Sequence, residues 1–422
     1  MIKFLTEMMK LPVQVFGYGV DAATKTAQGL QEAARWGIDA MEGRGDPIRD
    51  GSPSDLLRHT GQQGAAALKF NTEYPGPNKD QLIEKLVQAI RAGIEEEYKR
   101  GNRPARRDAH PKEHGCVRAN FVVRDGLPAE FGHGVFKDAR SFPTWIRFSN
   151  SSTVIQDDAV PDIRGMALKL MSVEGRKLLP DEVNEKTQDF LVTNQPIAFM
   201  RYLSEYPQLL EMVLQGKSTL EASEIILGAT YAELSTNAQP LVIASPLETT
   251  YFSLTPYLLG DRAVKYRVRP EIWQRSSVPA APGPNFLRET LVKHLAAKEM
   301  RFHFDVQFQE NPHLQPIENG AVEWTTPFTT LATVEIPRQR FDSPAQMEFG
   351  DNLSFTPWHS LPEHRLWETS IDRGAPYTRA FPSSDIPSTA RRAASPRQTG
   401  FLLIRGADCP TASAGTNKID LV

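Results

Sequence analysis

The sequence predicts an α+β fold, an antiparallel β core with flanking helices and an N-terminal helical arm. Three observations carry this expectation. Strand-like segments separated by turn residues recur from residue 115 onward. Two helical stretches, Pro196 to about Gln215 and Ser218 to about Leu234, interrupt them. RFHFDVQF alternates cleanly, with Phe302, Phe304, Val306 and Phe308 on one face and His303, Asp305 and Gln307 on the other, so one side of that strand belongs in a core.

In chain order, residues 1–43 read as an amphipathic helical arm that stops at the turn-rich run GRGDPIRDGSPS. Past the breakers YPGPNKD, positions Leu82, Ile83, Leu86, Val87, Ile90 and Ile94 recur at helical spacing, with Asp80 as candidate N-cap. Strands follow at CVRANFVV, PTWIRFS, RGMALKLMSV and QDFLVT, and resume after the helical interruption at TTYFSLTPYL and AVKYRVR. A Pro-rich link from Val278 to Pro284 leads into the helix NFLRETLVKHLAA, and FTTLATVEIP is the last strand candidate after RFHFDVQF. Beyond about Ser383 the composition is that of a linker. The expected division is a helical arm over 1–60, a β-rich domain over 61–380 and an extension over 381–422.

With 40% of its 422 residues apolar, the chain can bury a sizeable core, which excludes global disorder. A net charge of −3 gives no field that would make nucleic acid or an anionic membrane the main partner. Cys116 and Cys409 allow at most one disulfide and no thiolate metal cluster, so a cytoplasmic protein is the simpler reading. Lys3, Glu7, Lys10 and Asp21 break the first residues as either a signal or a membrane span.

The sequence contains no phosphate-binding loop, dinucleotide fingerprint or nucleophile elbow. His110 and His114 have the i, i+4 spacing of a zinc pair, but Pro111 and Gly115 bracket a segment unsuited to a helix interior. What does stand out is an ordered series of polar segments: Arg107-Asp108-Ala109-His110-Pro111-Lys112, Arg147-Phe148-Ser149, Asp162-Ile163-Arg164-Gly165, Asp189 through Ile197, NLSFTPWHSLPEH and Arg373-Gly374-Ala375-Pro376-Tyr377.

This series resembles the haem catalases, in particular the smaller, catalase-related branch of that superfamily. The resemblance runs from about residue 100 to 380 and includes PYLLGDRAVKYRVRP and WTTPFTTLATVEIP, similar to inner strands of the catalase barrel. It implies a catalase-like antiparallel β-barrel core carrying one haem b (iron protoporphyrin IX).

Peroxide cleavage on a ferric haem needs a distal base that takes a proton and returns it, a task suited to imidazole. The resemblance places His110 there, three residues after Arg107 and ahead of the first strand. It assigns a distal amide to Asn194, with Thr193 as the alternative because the loop is offset; read from the residues alone, Asn194 equally suits a loop cap. Arg107, Arg147 and Arg373 are the implied cations for the haem carboxylates, with Phe148 and Ser149 lining the cofactor. On the proximal side the resemblance makes Tyr377 the iron ligand, its phenolate favoured by Arg373 four residues earlier. Pro376 between them departs from the family pattern and suggests a short helix starting there.

The implied activity is peroxidase- or catalase-like reduction or cleavage of hydrogen peroxide or an organic hydroperoxide, a lipid hydroperoxide among them. The alternatives are a fatty-acid hydroperoxide isomerase or lyase of the allene oxide synthase type, and a non-catalytic haem-binding barrel. The amphipathic arm would suit membrane-surface contact or subunit exchange in a homo-oligomer.

Overall fold

The structure, a computed structural model, describes residues 68–74, 83, 86, 107 and 109–367, apart from 153–154, 216, 229–230 and 273–275. The expected amino-terminal arm and carboxy-terminal extension lie outside the described residues, as do Arg373 and Tyr377. Of the helix expected after YPGPNKD, Ile83 and Leu86 are described, and both are helical and buried.

The β core forms from β1 (Glu113–Val123), β2 (Ser141–Asn150), β3 (Arg164–Met171), β4 (Thr187–Thr193), β5 (Tyr251–Phe252), β6 (Tyr257–Leu259), β7 (Arg262–Pro270), β8 (Met300–Phe308) and β9 (Thr329–Ile336). All neighbours pair antiparallel in the order β5-β4-β3-β2-β1-β9-β8-β7-β6, and β5 also pairs with β7. That last pairing closes eight strands into a barrel, with β6 continuing along β7, and closure leaves few sheet edges open to aggregation.

Strand alternation decides what fills the barrel. Odd positions of β1 and even positions of β2, β3, β4, β7 and β8 point inward, so Phe121, Phe148, Leu168, Phe190, Tyr266 and Phe304 join one buried cluster. Phe121 meets the edge of Phe304 at 5.0 Å and 72°, and Phe190 meets Tyr266 at 5.3 Å and 78°. These are the edge-to-face contacts that ring quadrupoles favour. His364 enters the same cluster against Phe136, and its Nε2 accepts the Val135 amide at 2.9 Å.

The outer face is not left to water. In β8, Asp305 and Gln307 are as buried as Phe304, which corrects the expectation of one buried side. Asp305 accepts from Arg267, Arg269 and Thr330, while Gln307 donates to the Trp324 and Thr326 carbonyls, so each polar group keeps a partner when covered. The expected strand TTYFSLTPYL is broken into β5 and β6, both on the same side of β7. Pro256 has no amide hydrogen for the ladder, and Ser253 Oγ accepts the Tyr266 amide instead at 2.9 Å.

The helical interruption is shorter than its sequence pattern. It contains α1 (Tyr206–Leu214) and α2 (Thr219–Leu227), the latter opened by a reciprocal Ser218–Glu221 capping box and closed at Gly228 with φ 74°. α3 (Phe286–Ala297) buries Leu291 and Leu295 in the main cluster, and α4 (Pro344–Asn352) packs on β1.

Candidate active site

Pairing carries one row across the outer face of three strands: Ser149 lies opposite Gly165, and Gly165 opposite Thr193. His110 folds over this row from the segment before β1. Its Nδ1 is 3.0 Å from Ser149 Oγ, and its ring lies so close to Gly165 that a Cβ there would sit 2.5 Å from Cε1 and 2.6 Å from Nδ1. Only a glycine permits that approach.

His110 holds φ at 60°, a left-handed conformation that costs a residue with a Cβ roughly 1–2 kcal/mol. Two hydrogen bonds fix it: its amide donates to the Ser151 carbonyl at 3.3 Å, and Arg147 Nη1 donates to its own carbonyl at 3.0 Å. Burial, and then the charges of Arg147 and Arg107, push the imidazole pKa down to about 3. The ring is therefore neutral at physiological pH.

Arg147 comes from β2, two residues before Ser149 and on the same face. Its Nε donates to Glu113 Oε2 at 2.9 Å. Its Nη2 reaches Asp351 only at 3.7 Å and makes no hydrogen bond, although Arg147 is just 2% exposed. Arg107 is anchored to α4, donating to the Asp351 and Leu353 carbonyls at 2.8 and 3.1 Å. Burial, then the nearby Arg147, lowers Arg107 to about 9, so its guanidinium remains cationic at neutral pH. Burial raises Glu113 to about 7 against the pull of Arg147.

The other expected site residues are placed differently. Phe148 points into the barrel against Tyr251, on the face opposite Arg147 and Ser149, because successive strand residues alternate. Thr193 shares the row of Ser149, and its hydroxyl donates to the Gln195 carbonyl at 3.3 Å. Asn194 is fully buried: its Oδ1 accepts the Arg164 amide at 2.7 Å and its Nδ2 donates to the Pro240 carbonyl at 3.2 Å. Its amide thus ties β3 to the 240 loop, and no helix begins directly after it. His114 turns away from His110, with Nε2 2.7 Å from Asn150 Oδ1.

Two residues that shape the site were not assigned a role from sequence. Gly165 stood in a quoted motif, but the need for a glycine appears only when His110, 55 positions earlier, is seen above it. Glu113 carried a weaker signal, as a carboxylate at a strand entrance.

The sequence matches no family profile and no curated protein. Solved structures do resemble it. A fungal catalase aligns with a TM-score of 0.53 at 15% identity, over 83% of this chain and 71% of its own. Catalase A from Saccharomyces cerevisiae and a bacterial catalase align at 0.49 and 15% identity, over 79% and 82% of this chain and 68% and 70% of theirs. The fold is catalase-like. In that catalase-like barrel, the row of Ser149, Gly165 and Thr193 under His110 lies on the outer wall of strands β2 to β4.

Proposed function

We propose that the chain is a haem-dependent enzyme that processes hydrogen peroxide or organic hydroperoxides, with His110 as its distal base. The observation that carries this reading is a neutral imidazole on a left-handed backbone, set over a glycine, beside the half-buried Arg107 and the buried Arg147, one N–H group of which makes no hydrogen bond. Strain of this kind is retained where surrounding structure over-determines it, often at functional sites.

A haem fits these residues. Arg107 and Arg147 suit its carboxylates, since a guanidinium is satisfied by a carboxylate in fork geometry and Arg147 Nη2 makes no hydrogen bond, its one ion-pair contact being Asp351 at 3.7 Å. His110 and Ser149 suit its distal side. Tyr377 is the proposed proximal ligand and Arg373 the cation that favours its phenolate, both beyond the described residues. When bound, the haem would supply the redox chemistry of O–O cleavage.

The work of the protein residues follows from the geometry. In the tautomer whose Nδ1–H donates to Ser149 Oγ the lone pair is on Nε2, and that atom takes a proton from the peroxide. The low basicity that burial and the two arginines impose makes His110 return that proton readily to the departing oxygen. Arg147, by holding the His110 carbonyl, fixes the direction of the ring.

His110→Ala tests this. A general acid/base typically contributes roughly 10²- to 10⁴-fold, so the variant is expected to keep haem and lose peroxide turnover by that factor. Turnover at the parent rate would exclude His110 as the distal base. Tyr377→Phe is expected to change the ferric absorption spectrum and weaken haem retention; an unaltered spectrum would exclude it as the ligand.

A further inference from the structure

Three strands round the barrel from Ser149, the break between β5 and β6 opens a cleft lined by Phe252, Ser253, Lys265, Gln307, Glu323 and Trp324. Its inner part has a volume of about 10 Å³, room for one small group. Its polar atoms are unbalanced. Lys265 is 3% exposed, forms no ion pair among the described residues, makes one long hydrogen bond, to the Val322 carbonyl at 3.5 Å, and otherwise lies over the Trp324 ring, 5.5 Å from its centroid. The Trp324 indole N–H is buried without a partner. Ser253 Oγ already accepts the Tyr266 amide, which leaves its hydroxyl hydrogen to donate.

The one carboxylate beside the cleft, Glu323, is occupied elsewhere. Its Oε2 accepts from Ser235 Oγ at 2.9 Å and from the Thr236 amide and hydroxyl at 2.7 and 3.0 Å, and its Oε1 accepts from Asn237. The cleft therefore offers donors and lacks an acceptor, and a buried cation without a counter-charge is costly. Burial does lower the Lys265 ammonium, to about 8, with Glu323 opposing, which still leaves it mostly charged at neutral pH.

We propose that this cleft binds one small monovalent anion of halide size, held by the Lys265 ammonium with Ser253 and Trp324 as further donors. Because β5 closes the barrel on β7, an anion here ties that closure, and it stabilises the native chain in proportion to its occupancy. This inference is independent of haem binding.

Two measurements on the full chain test it. Crystals soaked in bromide are expected to show an anomalous peak in the cleft beside Lys265 Nζ. Thermal unfolding in bromide, against sodium gluconate at equal ionic strength, is expected to show a saturable rise in midpoint. A charge-assisted hydrogen bond contributes roughly 1.5–3 kcal/mol, so Lys265→Met should weaken bromide at least about tenfold, and Ser253→Ala by less. Should Lys265→Met fail to fold, Ser253→Ala and the soaked crystal still decide the matter. A cleft without a peak, peaks only at exposed positions (an adventitious ion only), or an equal bromide response in both variants would overturn the proposal.

Discussion

At the scale of single residues, the site depends on an absence at position 165. Any side chain there meets the His110 ring at about 2.5 Å, and the ring cannot retreat easily because its backbone is held by Ser151 and Arg147. Gly165→Ala is therefore expected to displace the imidazole and reduce peroxide turnover by about tenfold or more, while haem absorbance stays near that of the parent. Equal turnover in the two proteins would show that the contact has no role. The depressed basicity of His110 gives a second expectation. An ordinary histidine would be half protonated near pH 6.5 and inactive as a base below it, whereas His110 stays neutral down to about 3. The rate of reaction with peroxide should thus be flat from about pH 8 to pH 5. A rate that falls with an apparent pKa near 6.5 would mean that His110 titrates normally.

At the scale of elements, a buried ion pair joins β3 and β4 to the segment that leads toward Tyr377. Lys169 Nζ lies 2.7 and 2.9 Å from the two Asp189 oxygens; the Thr356 amide donates to Asp189 at 3.0 Å, and the Asp189 amide donates to the His359 carbonyl. His359 itself bridges Glu182 and Thr187. Removing one member of a buried pair typically costs about 3–5 kcal/mol, because the other is left uncompensated. Asp189→Asn is expected to lose stability of that order, measured by denaturant unfolding, and to loosen residues 353–361 in hydrogen exchange ahead of the barrel core. Uniform exchange throughout the chain would contradict the anchoring role. These elements were unevenly legible. The alternation of β8 and the apolar content of β3 are local signals, so their strands were readable. The break between β5 and β6 was not, since it depends on Ser253 taking the ladder position that Pro256 disrupts. Burial of Asp305 and Gln307 was likewise hidden, because their partners, Arg267, Arg269 and Thr330 for the one and the Trp324 and Thr326 carbonyls for the other, lie outside the strand's own pattern.

For the whole molecule, pH acts through buried groups with opposed shifts. His110, His114 and His364 are each pushed by burial from an ordinary value of 6.5 to about 3. The unfolded chain then binds more protons than the native one between those values, so these three histidines lower stability as pH falls from about 6.5 to 3. Glu113 and Glu224, raised from 4.5 to about 7 chiefly by burial, act oppositely between those two values, since the native state holds their protons more tightly. The sum predicts a shallow loss of thermal midpoint from pH 6.5 to 4.5 and a steep one below 4.5, where the two glutamates no longer offset the histidines and the lowered carboxyl of Glu182 adds to the loss. A midpoint constant down to pH 3.5 would contradict these shifts. The overall architecture was readable because several motifs occur in one order along the chain; the contact of His110 with Ser149, 39 residues apart, was not, because it depends on the register of β1 against β2 and on the left-handed backbone at His110. The claim that joins fold, site and chemistry is that a haem binds on the side of His110 and Arg147 away from Gly165. Titration of the purified full chain with hemin, followed by Soret absorbance, tests it most directly: saturation at one haem per chain, with affinity reduced about tenfold in Arg147→Ala, is the expected result, and the absence of any saturable Soret band would contradict it.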